Sequence, residues 1–305
     1  MTSPMGGPMI SNVRSAPRIL VLAVGATVLA LALGFVAPIA QASSEEARTS
    51  STSTYLALGD SLAAGYQPGR GETAGGYVNQ LWRRLRTTDP DLRLRNLACS
   101  GETSRSLIAG QNSPCSYDAG SQLDAAVAYL VEHPGEVDLI TLDIGGNDLL
   151  GRCLRHGLIE RSCVADLRPR LKARVREIVH ALSDAAGSAV PIVAMTYYDP
   201  LLGLWGLVPG GRALARADQR AWTTFNTALT RVYENTGVHV ADVAETFRID
   251  DFENTLFVKG RGPLPANVAL TCRWTWFCAK FDVHPNRTGY GKIAATFQRE
   301  IRSHL

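Results

Sequence analysis

The sequence predicts an α/β fold: a three-layer α/β/α sandwich in which helices cover both faces of a mainly parallel, five-stranded sheet. Three observations carry that prediction. Short apolar runs of strand length stop at glycine or at a polar turn. Longer stretches with apolar residues at helical spacing alternate with them, and such alternation builds parallel sheets covered on both sides. Neither an internal repeat nor a second composition regime breaks the pattern, so a single domain over residues 54–305 is expected.

The first strand is Tyr55-Leu56-Ala57-Leu58, halted by Gly59. Leu92 to Leu97 alternates and reads as the second. Val137 to Ile144 is the third, closed by Gly145-Gly146; Val190 to Tyr197 is the fourth and Val238-His239-Val240 a short fifth. Helices are expected over Gln122 to Val131, Arg216 to Tyr233 and Thr288 to Ile301. Another is marked by Leu167, Leu171, Val175, Ile178 and Leu182; the basic run Arg168 to Arg176 falls between these positions and reads as its solvated face.

Ahead of the domain, Arg14 and Arg18 precede the apolar run Ile19 to Val36, which closes on Ala40-Gln41-Ala42. Positive residues, an apolar segment and small residues at −3 and −1 describe a secretory signal (residues 1–42) cleaved after Ala42. A membrane anchor is the alternative, because the run is about long enough to cross a bilayer. Residues 43–53 are polar and Ser/Thr-rich and read as a flexible leader. The expected location is therefore extracellular, with membrane contact only through an uncleaved signal. The 305 residues hold 31 Lys and Arg against 28 Asp and Glu. Arg14 and Arg18 are the only charged residues of the first 42, so the body has 29 against 28. A near-neutral body with no basic stripe excludes nucleic acid as the main partner. A monomer is expected.

Six cysteines, at 99, 115, 153, 163, 272 and 278, all follow the signal. Export favours disulfides. Six cysteines permit fifteen pairings and the sequence does not choose among them; nearest neighbours, Cys99–Cys115, Cys153–Cys163 and Cys272–Cys278, are expected because each would pin one loop. Zinc is the rival, but C-x-x-C and clustered His and Cys are both absent. No two of the six histidines stand within ten residues, so a helical metal pair is also absent, and neither metal nor cofactor is expected.

In such a sheet ligands gather where strands end. Gly59-Asp60-Ser61-Leu62 follows the first strand; a serine there is either an exposed nucleophile or a helix cap. Gly101, after the second strand, lets backbone approach a ligand or simply makes a turn. Asn147, in Gly145-Gly146-Asn147-Asp148, is an amide donor or a turn residue. Asp282 and His284 stand in Phe281-Asp282-Val283-His284-Pro285, before the last helix.

These four blocks, in this order, resemble the GDSL lipase/esterase family, or SGNH hydrolases, from about Tyr55 to Gly291. The cysteine pattern and the Cys272–Cys278 loop resemble secreted bacterial members. The resemblance implies the fold above and a carboxylic ester hydrolase with no cofactor. In it Ser61 attacks the ester carbonyl, His284 moves the proton, and the Ser61 N–H, Gly101 N–H and Asn147 side chain receive the oxyanion. One departure stands out. The family places its acid three residues before the histidine, whereas position 281 here is Phe and the acid is Asp282, two before. Either Asp282 or a backbone carbonyl orients the imidazole. The expected partner is a small-molecule or lipid ester; Leu201 to Pro209 is expected to line an acyl cleft or to pack as a buried loop, and Trp274 and Trp276 to border that cleft or cover a disulfide. A carbohydrate O-acetyl esterase with a polar cleft is the near alternative, and a non-catalytic surface-binding module the distant one.

Overall fold

The computed structural model describes residues 53–304. The expected signal, residues 1–42, and all of the leader but Ser53 lie outside the described residues. Five strands form one sheet: β1 (Thr54–Gly59), β2 (Arg93–Asn96), β3 (Val137–Asp143), β4 (Ile192–Met195) and β5 (His239–Ala241). Their spatial order is β2-β1-β3-β4-β5 and every pairing is parallel. The sheet, its five strands and the single α/β domain are as the sequence predicts. β1 is buried along its whole length and β3 exposes only Asp138. That explains their unbroken apolar runs, because a central parallel strand has no wet face. β2, at the edge, is mostly exposed and carries Arg93, Arg95 and Asn96.

The principal helices are α1 (Tyr77–Leu85), α2 (Gln122–Glu132), α3 (Arg161–Ala186), α4 (Gly211–Glu234) and α5 (Arg287–His304). The chain moves outward from β1 to β2, then turns back past β1 to β3 and continues to β4 and β5. With right-handed crossovers, α1 lies on one face and α2, α3 and α4 on the other. The packing agrees: α5 joins α1, while α3 lies between α2 and α4. A single apolar core fills both interfaces, anchored by Leu56, Leu58, Ile140, Leu142, Trp222, Phe225 and Phe297.

Three helices match the predicted patterns at their cores. The helix read from Leu167 starts earlier, at Arg161, and continues through Pro169. Proline costs one hydrogen bond there, but Leu167, Leu171, Val175, Ile178 and Leu182 bury one continuous stripe, and that burial decides the outcome. α1 was not expected, although Tyr77, Val78 and Leu81 form its buried face.

The three disulfides join Cys99–Cys115, Cys153–Cys163 and Cys272–Cys278, and no free cysteine remains among the described residues. No described helix is long and apolar enough to cross a membrane. The feature that positions the site is the reversal of strand order between β1 and β3. The connections diverge there and leave a crevice outside the carboxyl ends of both strands.

Candidate active site

Strand β1 ends at Gly59, whose φ of +148° suits glycine. A Cβ there would stand 2.3 Å from Asp143 Oδ1, the paired residue on β3. Asp60 then caps the one-turn helix Ser61–Ala64, accepting the Leu62 N–H at 2.9 Å. Ser61 opens that helix at the mouth of the crevice. Gln122 of α2 clamps the strand end from the other side: its Oε1 accepts the Gly59 N–H at 2.7 Å and its Nε2 donates to the Gly59 carbonyl at 3.1 Å.

Under Ser61 two buried carboxyl groups meet. Asp143 accepts the Asp60 N–H at 3.3 Å and the Tyr77 hydroxyl at 2.6 Å, and Asp60 accepts the Tyr197 hydroxyl at 3.2 Å. Burial raises the pKa of both. It raises Asp143 well above the usual carboxylate range, and the charge of Asp60 pushes it further. Both groups therefore hold a proton more readily than an exposed carboxylate does, Asp143 the more strongly.

The turn after β3 supplies Asn147. Gly146 allows the close fit, since a Cβ there would lie 2.8 Å from the Tyr197 ring. Asn147 Nδ2 donates to the Glu102 carbonyl at 2.9 Å. Next to it, Asp148 accepts both the N–H and the hydroxyl of Ser104, at 2.7 and 2.6 Å, and lies 3.5 Å from Arg174. Part of the basic run on α3 is thus tied to the site instead of being only solvated. These bonds fasten the β3 turn to the loop of Gly101, which is exposed at a φ of +89°. Gly101 itself does not line the cavity beside Ser61. Neither the Ser61 nor the Gly101 N–H has an acceptor among the described residues.

The far end of the domain delivers the imidazole. His284 Nε2 stands 2.8 Å from Ser61 Oγ, and His284 Nδ1 stands 2.8 Å from Asp282 Oδ1. Phe281, in the left-handed region at a φ of +55°, turns the chain just before Asp282. The same carboxylate oxygen accepts the His284 N–H at 2.9 Å. This tight loop is how an acid two residues away reaches the ring. The loop is gripped on three sides. Trp276 N–H donates to the His284 carbonyl and Asn286 N–H to the Trp274 carbonyl, both at 2.9 Å, across the Cys272–Cys278 ring. The Tyr198 hydroxyl donates to the Val283 carbonyl at 2.7 Å. Gln67 donates to the Pro285 carbonyl at 2.9 Å, and the neighbouring Tyr66 ring packs 4.3 Å from the imidazole.

A cavity of about 80 Å³ adjoins Ser61, Asn147 and His284. Leu150, Tyr197, Tyr198, Pro200, Trp222 and Val283 wall it. The Leu201 to Pro209 segment contributes none of this wall; Leu201, Leu202 and Leu204 are buried in the core, and only the preceding Pro200 reaches the cavity. Trp274 packs edge-on against Phe247, and Trp276 bonds Gln67 Oε1. The aromatic wall comes instead from Tyr197, Tyr198 and Trp222, which the sequence reading missed. Tyr197 and Tyr198 follow the end of β4 after Thr196, so their place at a strand end was available as a signal; Trp222, in mid-helix, offered none.

A hydroxyl, an imidazole and a carboxylate bonded in series, at the switch point of a parallel α/β sheet, have the layout of a hydrolytic enzyme. The GDSL-like lipase/acylhydrolase family model matches residues 57–292. The chain belongs to that family, and with it to the carboxylic ester hydrolases. Among solved structures, an extracellular lipase from Streptomyces rimosus is 20% identical, with 81% of this chain and 99% of that one covered at a TM-score of 0.51; that likeness is one of fold. Phospholipase A1 from Streptomyces albidoflavus is 17% identical over 82% and 99% of the two chains (TM-score 0.48). An acetyl xylan esterase from Geobacillus stearothermophilus is 21% identical over 82% and 95% (TM-score 0.49). A search of curated protein sequences gives no match.

Two predictions follow from the support beneath the site. Asp143 binds its proton more tightly folded than unfolded, so wild-type stability falls as pH rises above the unfolded value of roughly 3.9, by about 1.4 kcal/mol per pH unit until the folded pKa is reached. Asp143→Asn removes that slope. Denaturant titrations of both proteins should show wild type losing ground to the variant between pH 5 and pH 8; a constant difference would mean that Asp143 is ionised in the fold. Replacing Cys272 and Cys278 together by Ser should free the His284 loop, lowering ester turnover at a temperature where far-ultraviolet circular dichroism still shows the native fold. Full activity in the double variant would show that hydrogen bonds alone hold the loop.

Proposed function

We propose that the chain is an exported serine ester hydrolase working through an acyl-enzyme on Ser61. The supporting observation is the series of two 2.8 Å contacts, Ser61 Oγ to His284 Nε2 and His284 Nδ1 to Asp282. Asp282 keeps a proton on Nδ1, which leaves Nε2 to accept the Ser61 proton as Oγ attacks the ester carbonyl. The developing oxyanion meets the second amide hydrogen of Asn147, the first being bonded to Glu102, together with the unengaged N–H groups of Ser61 and Gly101. Collapse breaks the bond to the alcohol, which takes the proton from His284. Water, deprotonated by the same imidazole, then releases the acid and restores Ser61.

The cavity at Ser61 sets the acyl group. Clefts for drug-sized ligands measure about 300–1,000 Å³, and this one is near 80 Å³. Its wall is mostly aromatic and aliphatic, so a short, apolar acyl chain fits it better than a long lipid tail, and its apolar character speaks against a sugar O-acetyl esterase with a polar cleft. Three disulfides and no free cysteine among the described residues suit an oxidising location, in keeping with export and cleavage after Ala42.

Hydrolysis of p-nitrophenyl esters of graded chain length tests this reading. Ser61→Ala and His284→Ala should each lose on the order of 10⁴-fold or more in kcat. Asn147→Ala should lose on the order of 10² to 10³, and Asp282→Asn about 10⁴ if it fixes the tautomer. The kcat/KM should be highest between acetate and butyrate. An optimum at octanoate or beyond would refute the small acyl pocket, and undiminished turnover in Ser61→Ala would refute the serine mechanism.

A further inference from the structure

A second cavity, of about 430 Å³, adjoins the His284 loop. Its wall includes Gln67, Thr73, Gln80, Arg70, Arg83 and Arg287. It shares structure with the catalytic imidazole. Gln67 follows Tyr66, whose ring packs on His284, and binds the carbonyl of Pro285, the residue after His284. Arg287 is three positions beyond that histidine. Gln80 closes the other side, donating to the Gly75 carbonyl at 2.9 Å and the Arg287 carbonyl at 3.2 Å. Arg70 sits at the tip of a tight turn in which its N–H, and that of Gly71, donate to the Gln67 carbonyl.

No acidic residue lines this cavity, and none of the three arginines has a salt-bridge partner among the described residues. Arg83 spends one N–H on the Ala74 carbonyl at 2.9 Å; the Arg70 and Arg287 side chains make no hydrogen bond among the described residues. The nearest acid in the loop, Glu72, is turned to the Ser100 N–H at 2.8 Å. Three guanidinium groups line one concave site with donors free, and guanidinium forks match phosphate and carboxylate oxygens.

We propose that this cavity is a subsite for the alcohol portion of the ester and takes an anionic group there, a phosphate or a carboxylate. The inference rests on the reading of Ser61 as the nucleophile. The acyl chain enters the small apolar cavity, while the charged part of the leaving alcohol lies across the His284 loop among Arg70, Arg83 and Arg287.

Three butyrate esters of one alcohol frame test it: 1-butyrylglycerol, its 3-phosphate, and the 3-carboxylate analogue 3-butyrylglycerate. The kcat/KM for at least one anionic ester should exceed that of the neutral ester by tenfold or more, mainly through KM, and should fall with added salt. In the triple variant Arg70→Gln, Arg83→Gln, Arg287→Gln, the ratio of anionic to neutral kcat/KM should drop to near one, a readout independent of overall loss of folded enzyme. The two anionic arms tell phosphate from carboxylate. Equal kcat/KM for all three esters in wild type, or a preference that survives the triple variant, would overturn the subsite. Calorimetry with glycerol 3-phosphate separates this outcome from failure of the serine mechanism: binding by Ser61→Ala that vanishes when the three substitutions are added supports the cavity even if no ester is cleaved, and no binding at millimolar ligand rejects it.

Discussion

The parallel pairing of β1 with β3 is the constraint on which the rest of the site depends. It sets Gly59 beside Asp143, so the turns carrying Ser61 and Asn147 leave the sheet side by side. The fit is close enough that only a glycine is accommodated opposite Asp143. The pairing also forces Asp60 and Asp143 together in a buried place. Two ionised carboxylates would repel strongly in that medium. The raised proton affinity of Asp143, with hydroxyl donors from Tyr77 and Tyr197, eases that conflict and leaves a hydrogen-bonded base beneath the Ser61 turn. Burial there restricts movement as well as charge, which is what a reacting hydroxyl requires.

The imidazole is held differently. Its loop comes from the end of the chain and belongs to no strand of the sheet, so its position rests on a covalent ring, Cys272–Cys278, and on hydrogen bonds from Trp276, Tyr198 and Gln67. Gln67 touches both the loop of His284 and the cavity walled by arginines. Ser61, His284 and the proposed anion subsite are therefore joined through a few polar side chains. This arrangement divides the enzyme into a rigid floor, made by the sheet, and a clasp, made by the last loop.

Much of this was legible in the sequence, unevenly. The central strands β1 and β3 could be read because buried parallel strands are apolar on both faces, and here they run into Gly59 and Gly145; the exposed edge strand β2 was read from its alternation instead. α3 was legible from one stripe of leucine, isoleucine and valine, but its start was not, because the turn from Arg161 to Asp166 buries only Val164 and offers too short an apolar signal. α1 escaped because its apolar stripe, Tyr77, Val78 and Leu81, is short and lies among polar residues. Ser61, Asn147 and His284 were found as motif residues, and the structure brings all three to one cavity. The cavity wall was not found: Trp222 comes from mid-helix, and Leu201 to Leu204, which read as a cleft, is apolar because it is core.

The amino-acid sequence by itself determined the alternation of strands and helices, the family, and the residue types available for acyl chemistry, because periodicity and local turn signals are properties of neighbouring positions. Only the tertiary structure decided that Asp282 reaches the imidazole despite its spacing, that the neighbouring cysteines pair, that the cavity beside Ser61 is small, and that three separated arginines line one hollow. Those facts concern distances between groups remote along the chain. Such distances exist only once the core has packed and the backbone between them has been fixed.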